Sequence, residues 1–518
     1  MATDEKQIAA EVSDPQHSAA GMTTRVVKGS LWTLLGQVAP LAVSLAATPF
    51  TIRLLGAEGY GVLILVGLIP AYLAFADFGM SLASTRFASE AFGRGDRKEE
   101  AAVIRTAVAV ALSVSVPVAL GLFIFAPQII SLFAVPENLF AEAAAALRIT
   151  AVTFVVNILC SILNTPQLAR LRMDLNTLIN AGTRIAGLIA TPVAIYLGFG
   201  IVGAAAVLLG AMLLNLAGHV FFSGRLLPEL FGLGISREKL RPLLIFGGGL
   251  VISSIAAIAL TNAEKGILAA VVSASALAHY TVAFTAASMM TLFAGAMIQS
   301  LIPAFSQLQG EEARERLNGL FERGVRLSMI WAVPAMVFLG VTAKPFFTIW
   351  AGEEFGREST LPLYLLLGGL LFNIIAYLPH AAILAAGRSD ALAKLYWIEL
   401  VPYAAAVWLL ASRYGAAGAA AAWSLRVIVD TFLQFYLAIR LGGITFRPRF
   451  PLGYLAGVAA AALPAVFMLY TDSHTLFPIL AVLAGLIIYA TMTFRTLLDA
   501  EERSWLTARI SKLARRTA

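Results

Sequence analysis

Several ionisable side chains of this sequence lie in the middle of long apolar stretches. An ionised group in hydrocarbon is costly unless it is paired or hydrated, so such residues are candidates for function. In the first half these are Arg86, Arg148 and Arg184, with Asp77 as the clear acidic counterpart. Guanidinium groups offer forked donors that match phosphate oxygens. We therefore predict that the three arginines line a positively charged cavity for a phosphate-bearing ligand.

Each of these arginines also has a purely structural interpretation. Arg86 lies within two helical turns of the end of its apolar stretch, so its side chain could extend to the lipid headgroups. Arg148 and Arg184 lie deeper, where a structural ion pair is the alternative. Both interpretations stay open on the sequence alone.

The second half carries acidic and basic residues at similar depth. Glu264 and Lys265 are adjacent in one apolar stretch. Adjacent residues of a helix do not face each other, so each needs another partner. The candidates are Glu399 in a later stretch and Arg426 with Asp430 in the next one. Arg426 and Asp430 are four residues apart, so they could instead satisfy each other.

These groups divide into two predicted roles. Loss of water favours the protonated form of a carboxylate, so a buried acid can take up and release protons. We predict ion coupling, with H⁺ or Na⁺ as the ion, for Asp77, Glu264, Glu399 and Asp430. The predicted substrate-binding residues are Arg86, Arg148, Arg184, Lys265 and Arg426.

Composition and hydropathy predict the elements that hold these residues. The chain of 518 residues is 59% hydrophobic and 13% charged, compared with about half and about a quarter in soluble domains. Apolar runs long enough to cross about 30 Å of hydrocarbon recur along it. The predicted fold class is an all-α polytopic membrane protein with about 14 transmembrane helices. The predicted spans are 30–53, 61–92, 100–125, 139–168, 174–197, 200–224, 243–271, 276–307, 318–346, 360–387, 390–412, 415–439, 452–470 and 475–495.

Basic residues predict the orientation of the chain. If the N-terminus is cytosolic, most loops on that side carry Lys and Arg, whereas residues 126–138 and 266–280 on the opposite side carry none. This asymmetry follows the positive-inside rule and places both termini in the cytosol. It also accounts for the net charge of +7, so nucleic-acid binding is not indicated.

The two halves of the chain resemble each other. Ser89–Ala126 and Ser306–Ala343 align without a gap, and each contains a charged loop followed by an apolar span. Each span has its proline, Pro117 or Pro334, at the same depth. Duplicated halves are typical of transporters, and matching cytosolic loops predict parallel lobes about an axis normal to the membrane. The predicted segments are a disordered cytosolic tail (1–22), a six-helix lobe (23–225), a cytosolic linker (226–242), a second six-helix lobe (243–442), two further helices (443–497) and an amphipathic cytosolic tail (498–518).

Five stretches of the sequence carry a family resemblance. They are TIRLLGAEGYGVLILV (Thr51–Val66), ADFGMSLASTRFASEAFGRGD (Ala76–Asp96), NAEKGILAAVVSASALAHYTVAF (Asn262–Phe284), PAFSQLQG (Pro303–Gly310) and FFTIWAGEEF (Phe346–Phe355). Together they resemble Wzx-type flippases, the polysaccharide branch of the multidrug, oligosaccharidyl-lipid and polysaccharide exporter superfamily. With the topology, the resemblance covers residues 23–495.

The resemblance implies twelve core helices in two lobes, followed by two further helices. It implies a transporter of the bacterial inner membrane, not an enzyme, which needs no cofactor or metal. Its substrate would be an undecaprenyl-diphosphate-linked oligosaccharide, moved from the cytosolic to the periplasmic leaflet by alternating access for O-antigen, lipopolysaccharide or exopolysaccharide synthesis. Members often have an acid and then a base in the seventh helix, here Glu264 and Lys265. Implied partners are membrane lipids and polysaccharide polymerase or glycosyltransferase machinery.

Three alternatives stay open. A multidrug cation antiporter would favour an acidic cavity, whereas the first half is basic. A flippase for a peptidoglycan lipid precursor shares the same electrostatics. A membrane glycosyltransferase or polymerase would need a substantial extracytoplasmic loop with acids or histidines, and those loops are short. The sequence has no GxxxxGK[ST] phosphate loop, no metal-ligand spacing of histidines, and a single cysteine, Cys160, which excludes an intrachain disulfide.

Overall fold

A computed structural model describes residues 18–232, 234–308, 313–445, 451–471, 476–498, 502–504 and 507. Helices and short turns account for these residues, and none of them lies in a β-strand. The helices are α1 (Ser18–Tyr72), α2 (Met80–Gly93), α3 (Arg97–Ile124), α4 (Ala126–Ile130), α5 (Glu137–Leu163), α6 (Thr165–Ala169), α7 (Met173–Ala194), α8 (Gly200–Leu226), α9 (Arg237–Val271), α10 (Ala274–Ser288), α11 (Thr291–Gln307), α12 (Arg314–Ala351), α13 (Glu353–Glu358), α14 (Thr360–Ala385), α15 (Ser389–Leu441), α16 (Leu452–Thr471) and α17 (Leu476–Met492).

The helices have the length and composition of membrane spans. Within the described ranges, nine helical elements are long and apolar enough to cross a bilayer. A helix pairs its own backbone N–H and C=O groups by hydrogen bonds, which is necessary because hydrocarbon offers them no partner. The predicted all-α membrane class is therefore confirmed, while the count of 14 helices and their arrangement in two lobes stay predictions.

Glycines break some of the longest elements into successive helical segments. Gly56 interrupts α1 at φ 70° and ψ 177°, and Gly415 interrupts α15 at φ 57° and ψ −135°. Gly200, the first residue of α8, has a similar backbone at φ 55° and ψ −147°. This region of φ and ψ is accessible almost only to glycine. The predicted neighbours 390–412 and 415–439 therefore correspond to two segments of α15.

The second predicted span, 61–92, differs from the structure because the helix does not continue through it. α1 ends at Tyr72, and one 3₁₀ turn covers Ala74–Asp77. Phe78 and Gly79 then have positive φ values of 52° and 68°, so α2 begins only at Met80. The Asp77 carboxylate accepts a 2.7 Å hydrogen bond from the Gly79 N–H, which stabilises this turn.

The chain forms two compact units. The first contains the described residues up to Asn262 together with Ala269–Ala278, and the second contains Ala263–Leu268 and the described residues from His279 onwards. An apolar core of the first unit includes the fully buried Met80, Ile104 and Leu147. The second has separate cores, one around Phe305, Phe321 and Leu378 and another around Tyr454 and Tyr489. The predicted lobe boundaries at 226–242 stay a prediction.

Two helices related by the sequence repeat hold the segment that follows each predicted lobe. On α3, the Arg105 guanidinium donates to the carbonyls of Glu229 (2.7 Å) and Gly234 (3.1 Å). On α12, Arg314 donates to the Gly443 carbonyl at 3.2 Å. Helices α3 and α12 thus each hold a later segment of their own unit through an arginine side chain.

Candidate functional site

Three carboxylates lie almost without water contact in helices of the second unit. Glu264 on α9 is 0% exposed, and Glu399 and Asp430 on α15 are 7% and 5% exposed. Two cations, Lys265 on α9 and Arg426 on α15, lie beside them. We call these five residues the charged cluster. It holds one more carboxylate than cation.

Glu264 receives its hydrogen bond from a residue that sequence reasoning missed. The Tyr403 hydroxyl donates to Glu264 Oε2 at 2.8 Å, from a position 139 residues away. Lys265 Nζ lies 3.9 Å from Glu264 Oε1, at the outer limit of an ion pair, and 4.7 Å from the centre of the Phe284 ring. The fully buried Tyr280 also faces Glu264. Glu264 therefore has a partner beyond Lys265, but this partner is Tyr403 and not one of the predicted candidates.

Arg426 joins the cluster through Glu399. Its Nη1 lies 3.5 Å from Glu399 Oε2, and its guanidinium lies 5.2 Å from the centre of the Tyr403 ring. Within the described part of the chain, this is the ion pair that Arg426 makes, so the alternative pairing with Asp430 is wrong. The physical reason is that Glu399 faces Arg426 from the other segment of α15, and it offers a closer carboxylate than the next helical turn.

The Asp430 carboxylate accepts hydrogen bonds from a neutral side chain. Gln434 Nε2 donates to both of its oxygens, at 3.0 and 2.8 Å. The carboxylate also interacts electrostatically with Glu399 and with His380 on α14. Asp430 and Glu399 are therefore neighbouring carboxylates within the charged cluster.

The charged cluster has the groups needed to bind one proton. One oxygen of Glu264 and one of Glu399 accept no hydrogen bond from the described residues. Because the cluster has one carboxylate in excess, a single added positive charge makes it neutral. Neutral groups are favoured where water is excluded. The arrangement is therefore suited to taking up and releasing H⁺.

The three arginines of the first unit have different contacts. Arg148 on α5 donates to the Phe123 carbonyl at 3.4 Å and lies 5.9 Å from the centre of that ring. Arg184 on α7 is exposed and makes no ion pair with the residues that the structure describes. Arg86 on α2 lies 4.8 Å from the centre of the Phe246 ring. Each arginine has its own surroundings, so their shared cavity stays a prediction.

Asp77 has a structural function in this conformation. Its carboxylate accepts a hydrogen bond from the Gly79 N–H and also interacts with the backbone of Ser81, and both residues lie at the start of α2. A side-chain acceptor in such a turn satisfies backbone donors that the helix leaves free. This contact does not test whether Asp77 also takes part in ion coupling.

A buried polar network in the first unit was missed by the sequence analysis. His219 on α8 is 0% exposed, and its ring nitrogens lie 3.1 Å from Gln167 Nε2 and 3.3 Å from Asn180 Oδ1. Asn215 Nδ2 donates to Asn180 Oδ1 at 3.1 Å, and Gln167 Nε2 donates to Ser223 Oγ at 3.3 Å. The signal was a stripe of polar residues at 215, 219 and 223, whose spacing of four places them on one helical face.

The fold and the charged cluster define a polytopic helical membrane protein that keeps ionisable groups at membrane depth, as transporters do. Among the described residues, no group of three or more His, Cys, Asp or Glu side chains could hold a metal ion. The chain belongs to the family described as "Polysaccharide biosynthesis protein", whose signature matches residues 51–359.

Curated relatives align over most of their length. The "Putative O-antigen transporter" of Shigella flexneri is 24% identical over 420 residues, which are 80% of this chain and 98% of the relative. The "Succinoglycan biosynthesis transport protein" of Rhizobium meliloti is 22% identical over 387 residues, 74% of this chain and 73% of the relative. With the family match, these relatives confirm the predicted resemblance to Wzx-type flippases.

Solved structures share the fold. The lipid II flippase MurJ in an inward closed conformation superposes with a TM-score of 0.65 at 14% identity, covering 91% of this chain and 100% of MurJ. An inward-facing multidrug transporter of the MATE family superposes with a TM-score of 0.64 at 16% identity, covering 78% of this chain and 98% of the transporter. At these identities the likeness concerns the fold alone.

Proposed function

We propose that this protein is a flippase that moves an undecaprenyl-diphosphate-linked oligosaccharide across the membrane by alternating access. The main support is the alignment with the O-antigen transporter relative, which spans 98% of that relative. The succinoglycan transport relative supports the same substrate class. The direction is from the cytosolic to the periplasmic leaflet of the bacterial inner membrane, for the synthesis of a surface polysaccharide.

The proposed architecture has about 14 transmembrane helices in total, which are two parallel lobes of six helices each and two further helices, with both termini in the cytosol. The distribution of basic residues supports this orientation. Polysaccharide polymerase or glycosyltransferase machinery would supply or consume the lipid-linked glycan.

The proposed ion-coupling site is the charged cluster. Glu264, Glu399 and Asp430 would exchange a proton during the transport cycle, because the cluster carries one uncompensated carboxylate. Na⁺ is the alternative ion. Asp77 is proposed for coupling only from its position in the sequence.

The proposed substrate contacts are made by cations. Guanidinium groups recognise the diphosphate through paired hydrogen bonds, and an ammonium group adds a point charge. The residues are Arg86, Arg148, Arg184, Lys265 and Arg426. Substitution of Arg184 gives the most direct test of a substrate contact, because this residue is exposed in the first unit and makes no ion pair with the described residues.

Transport in proteoliposomes tests this function. The purified protein is reconstituted with a fluorescent undecaprenyl-diphosphate oligosaccharide, and lectin accessibility reports translocation. We expect parent activity that rises with an imposed pH gradient, and loss of that dependence in Glu264→Gln and Glu399→Gln. Glu137→Gln, at an exposed acid at the start of α5, is the matched control.

Specific outcomes decide against the proposal. Export of a cationic drug without movement of the lipid-linked glycan would instead support a multidrug antiporter. Movement of a peptidoglycan precursor in preference to other glycans would support the alternative flippase. Sugar transfer to an acceptor would identify a glycosyltransferase.

A further inference from the structure

An open cleft in the first unit lies at the start of α9. Its volume is about 540 Å³, within the range of about 300–1,000 Å³ that holds small ligands. Arg86 from α2 and Arg241 from α9 both line it. We call it the Arg86–Arg241 cleft.

The cleft presents two guanidinium groups. Neither Arg86 nor Arg241 makes an ion pair with the described residues, although Glu238 also lines the cleft. The neighbouring Lys239, in contrast, is paired with Glu99 on α3. Two arginines against one carboxylate leave an excess of positive charge, which favours an anion.

The remaining walls of the cleft are apolar. Phe87 and Phe246 pack edge to face with ring centres 5.9 Å apart, and the Arg86 guanidinium lies over both rings. Ile245, which is 68% exposed, extends the apolar wall beside Arg241. A ligand that satisfies this surface needs both an anionic group and a hydrocarbon part.

Close backbone packing holds the two sides of the cleft in place. A side chain at Gly247, the residue after Phe246, would collide with the Phe78 carbonyl and with Met80. Only glycine permits this approach of α9 to the turn before α2. The spacing of Arg86 and Phe246 is therefore set by backbone contact rather than by flexible side chains.

We propose that the Arg86–Arg241 cleft binds the phosphate or diphosphate headgroup of a membrane lipid, with the first part of the lipid chain on Phe246 and Ile245. Forked guanidinium donors suit phosphate oxygens, and the exposed isoleucine suits an acyl or isoprenyl chain. The proposal rests on the proposed function in two respects: Arg86 is also one of the proposed substrate contacts, and the first probe is an isoprenyl diphosphate.

Equilibrium binding to the full chain in phosphatidylcholine nanodiscs tests the cleft. The first probe is geranylgeranyl diphosphate, measured by calorimetric titration. Loss of one charge-assisted contact should weaken binding at least about tenfold in Arg86→Ala and in Arg241→Ala. Glu238→Gln should bind as tightly as the parent or more tightly, because it removes the opposing charge.

Arg237→Ala is the matched control. It removes the same charge from the same helix one turn earlier, at an exposed residue that does not line the cleft. Its affinity should stay within about twofold of the parent, since exposed charges at a distance are screened. An equal loss in Arg237→Ala and Arg241→Ala would overturn the proposal, as would unchanged binding in both cleft variants.

Two further probes identify the source of the phosphate. Competition by phosphatidylglycerol at equal concentration would assign the cleft to phospholipids in general, whereas resistance to it would assign an isoprenyl diphosphate. Inorganic pyrophosphate binding as tightly as the lipid would contradict the role of the apolar wall. If the protein binds the lipid through both arginines but flips no glycan, the cleft proposal stands and the proposed function fails. If the protein flips the glycan but does not bind the lipid through these arginines, the proposed function stands and the cleft proposal fails.

Discussion

At the scale of single residues, the most informative contact joins Tyr403 to Glu264. Glu264 is fully buried, and the tyrosine hydroxyl at 2.8 Å is its close donor. The neighbouring Lys265 is near the limit of an ion pair at 3.9 Å. A buried carboxylate depends strongly on such donors, because it has little water to replace them. The Tyr403 hydroxyl therefore stabilises the Glu264 carboxylate in its buried position.

Tyr403→Phe tests this dependence. Removal of a hydrogen bond to a charged buried group should lower the free energy of unfolding by about 1.5–3 kcal/mol, measured by denaturant titration in micelles. The same change in a Glu264→Gln background should cost less, because the charged partner is gone. Tyr414→Phe, at a residue 65% exposed on the same helix, is the control. An equal loss of unfolding free energy in both backgrounds would show that Tyr403 and Glu264 do not stabilise each other.

At the scale of elements, glycines decide where the long helices change direction. α15 runs from Ser389 to Leu441, but Gly415 has φ 57° and ψ −135°. That break lets Glu399 on one segment meet Arg426 on the other. An uninterrupted helix would carry residues 27 positions apart about 40 Å from each other. The glycine is thus a condition for the charged cluster.

Gly415→Ala should therefore destabilise the protein. A Cβ in this region of φ and ψ costs about 1–3 kcal/mol, so the thermal unfolding midpoint should fall. Gly368→Ala on α14 is the control, because a Cβ there meets no atom within 4 Å and the backbone is regular helix. That control should be neutral or stabilising by up to about 1 kcal/mol. A similar fall for both variants would contradict the assigned role of Gly415.

At the scale of the whole molecule, the loops predicted to lie on one side of the membrane carry most of the basic residues, and the loops predicted to lie on the other side carry few. This distribution supports a topology with both termini in the cytosol. The native Cys160 is buried in the first unit, so it gives little background in a thiol-labelling experiment. The topology is therefore open to direct measurement.

Introduced cysteines test the orientation. Lys98→Cys, in the first turn of α3, should react with a membrane-impermeant maleimide only in inside-out vesicles, because this end of α3 is predicted to be cytosolic. Glu137→Cys, at the start of α5, should react in intact spheroplasts. Both positions are exposed in the first unit. The reverse pattern of labelling would invert the proposed topology.

The sequence by itself determined the membrane class, the helical fold and the ionisable residues that lie within apolar stretches. Hydropathy and charge are local properties, so a window of about 20 residues is enough to find a span. The break at residues 73–79 was missed because the turn of Asp77, Phe78 and Gly79 lies within an otherwise apolar run.

Only the tertiary structure decided which polar groups meet. Arg426 could pair with Asp430 at helical spacing, yet it contacts Glu399, while Tyr403 reaches Glu264 from 139 residues away. The network around His219 likewise joins three helices. Side-chain pairing depends on how helices pack, and a periodicity within one helix contains no information about the face of the next.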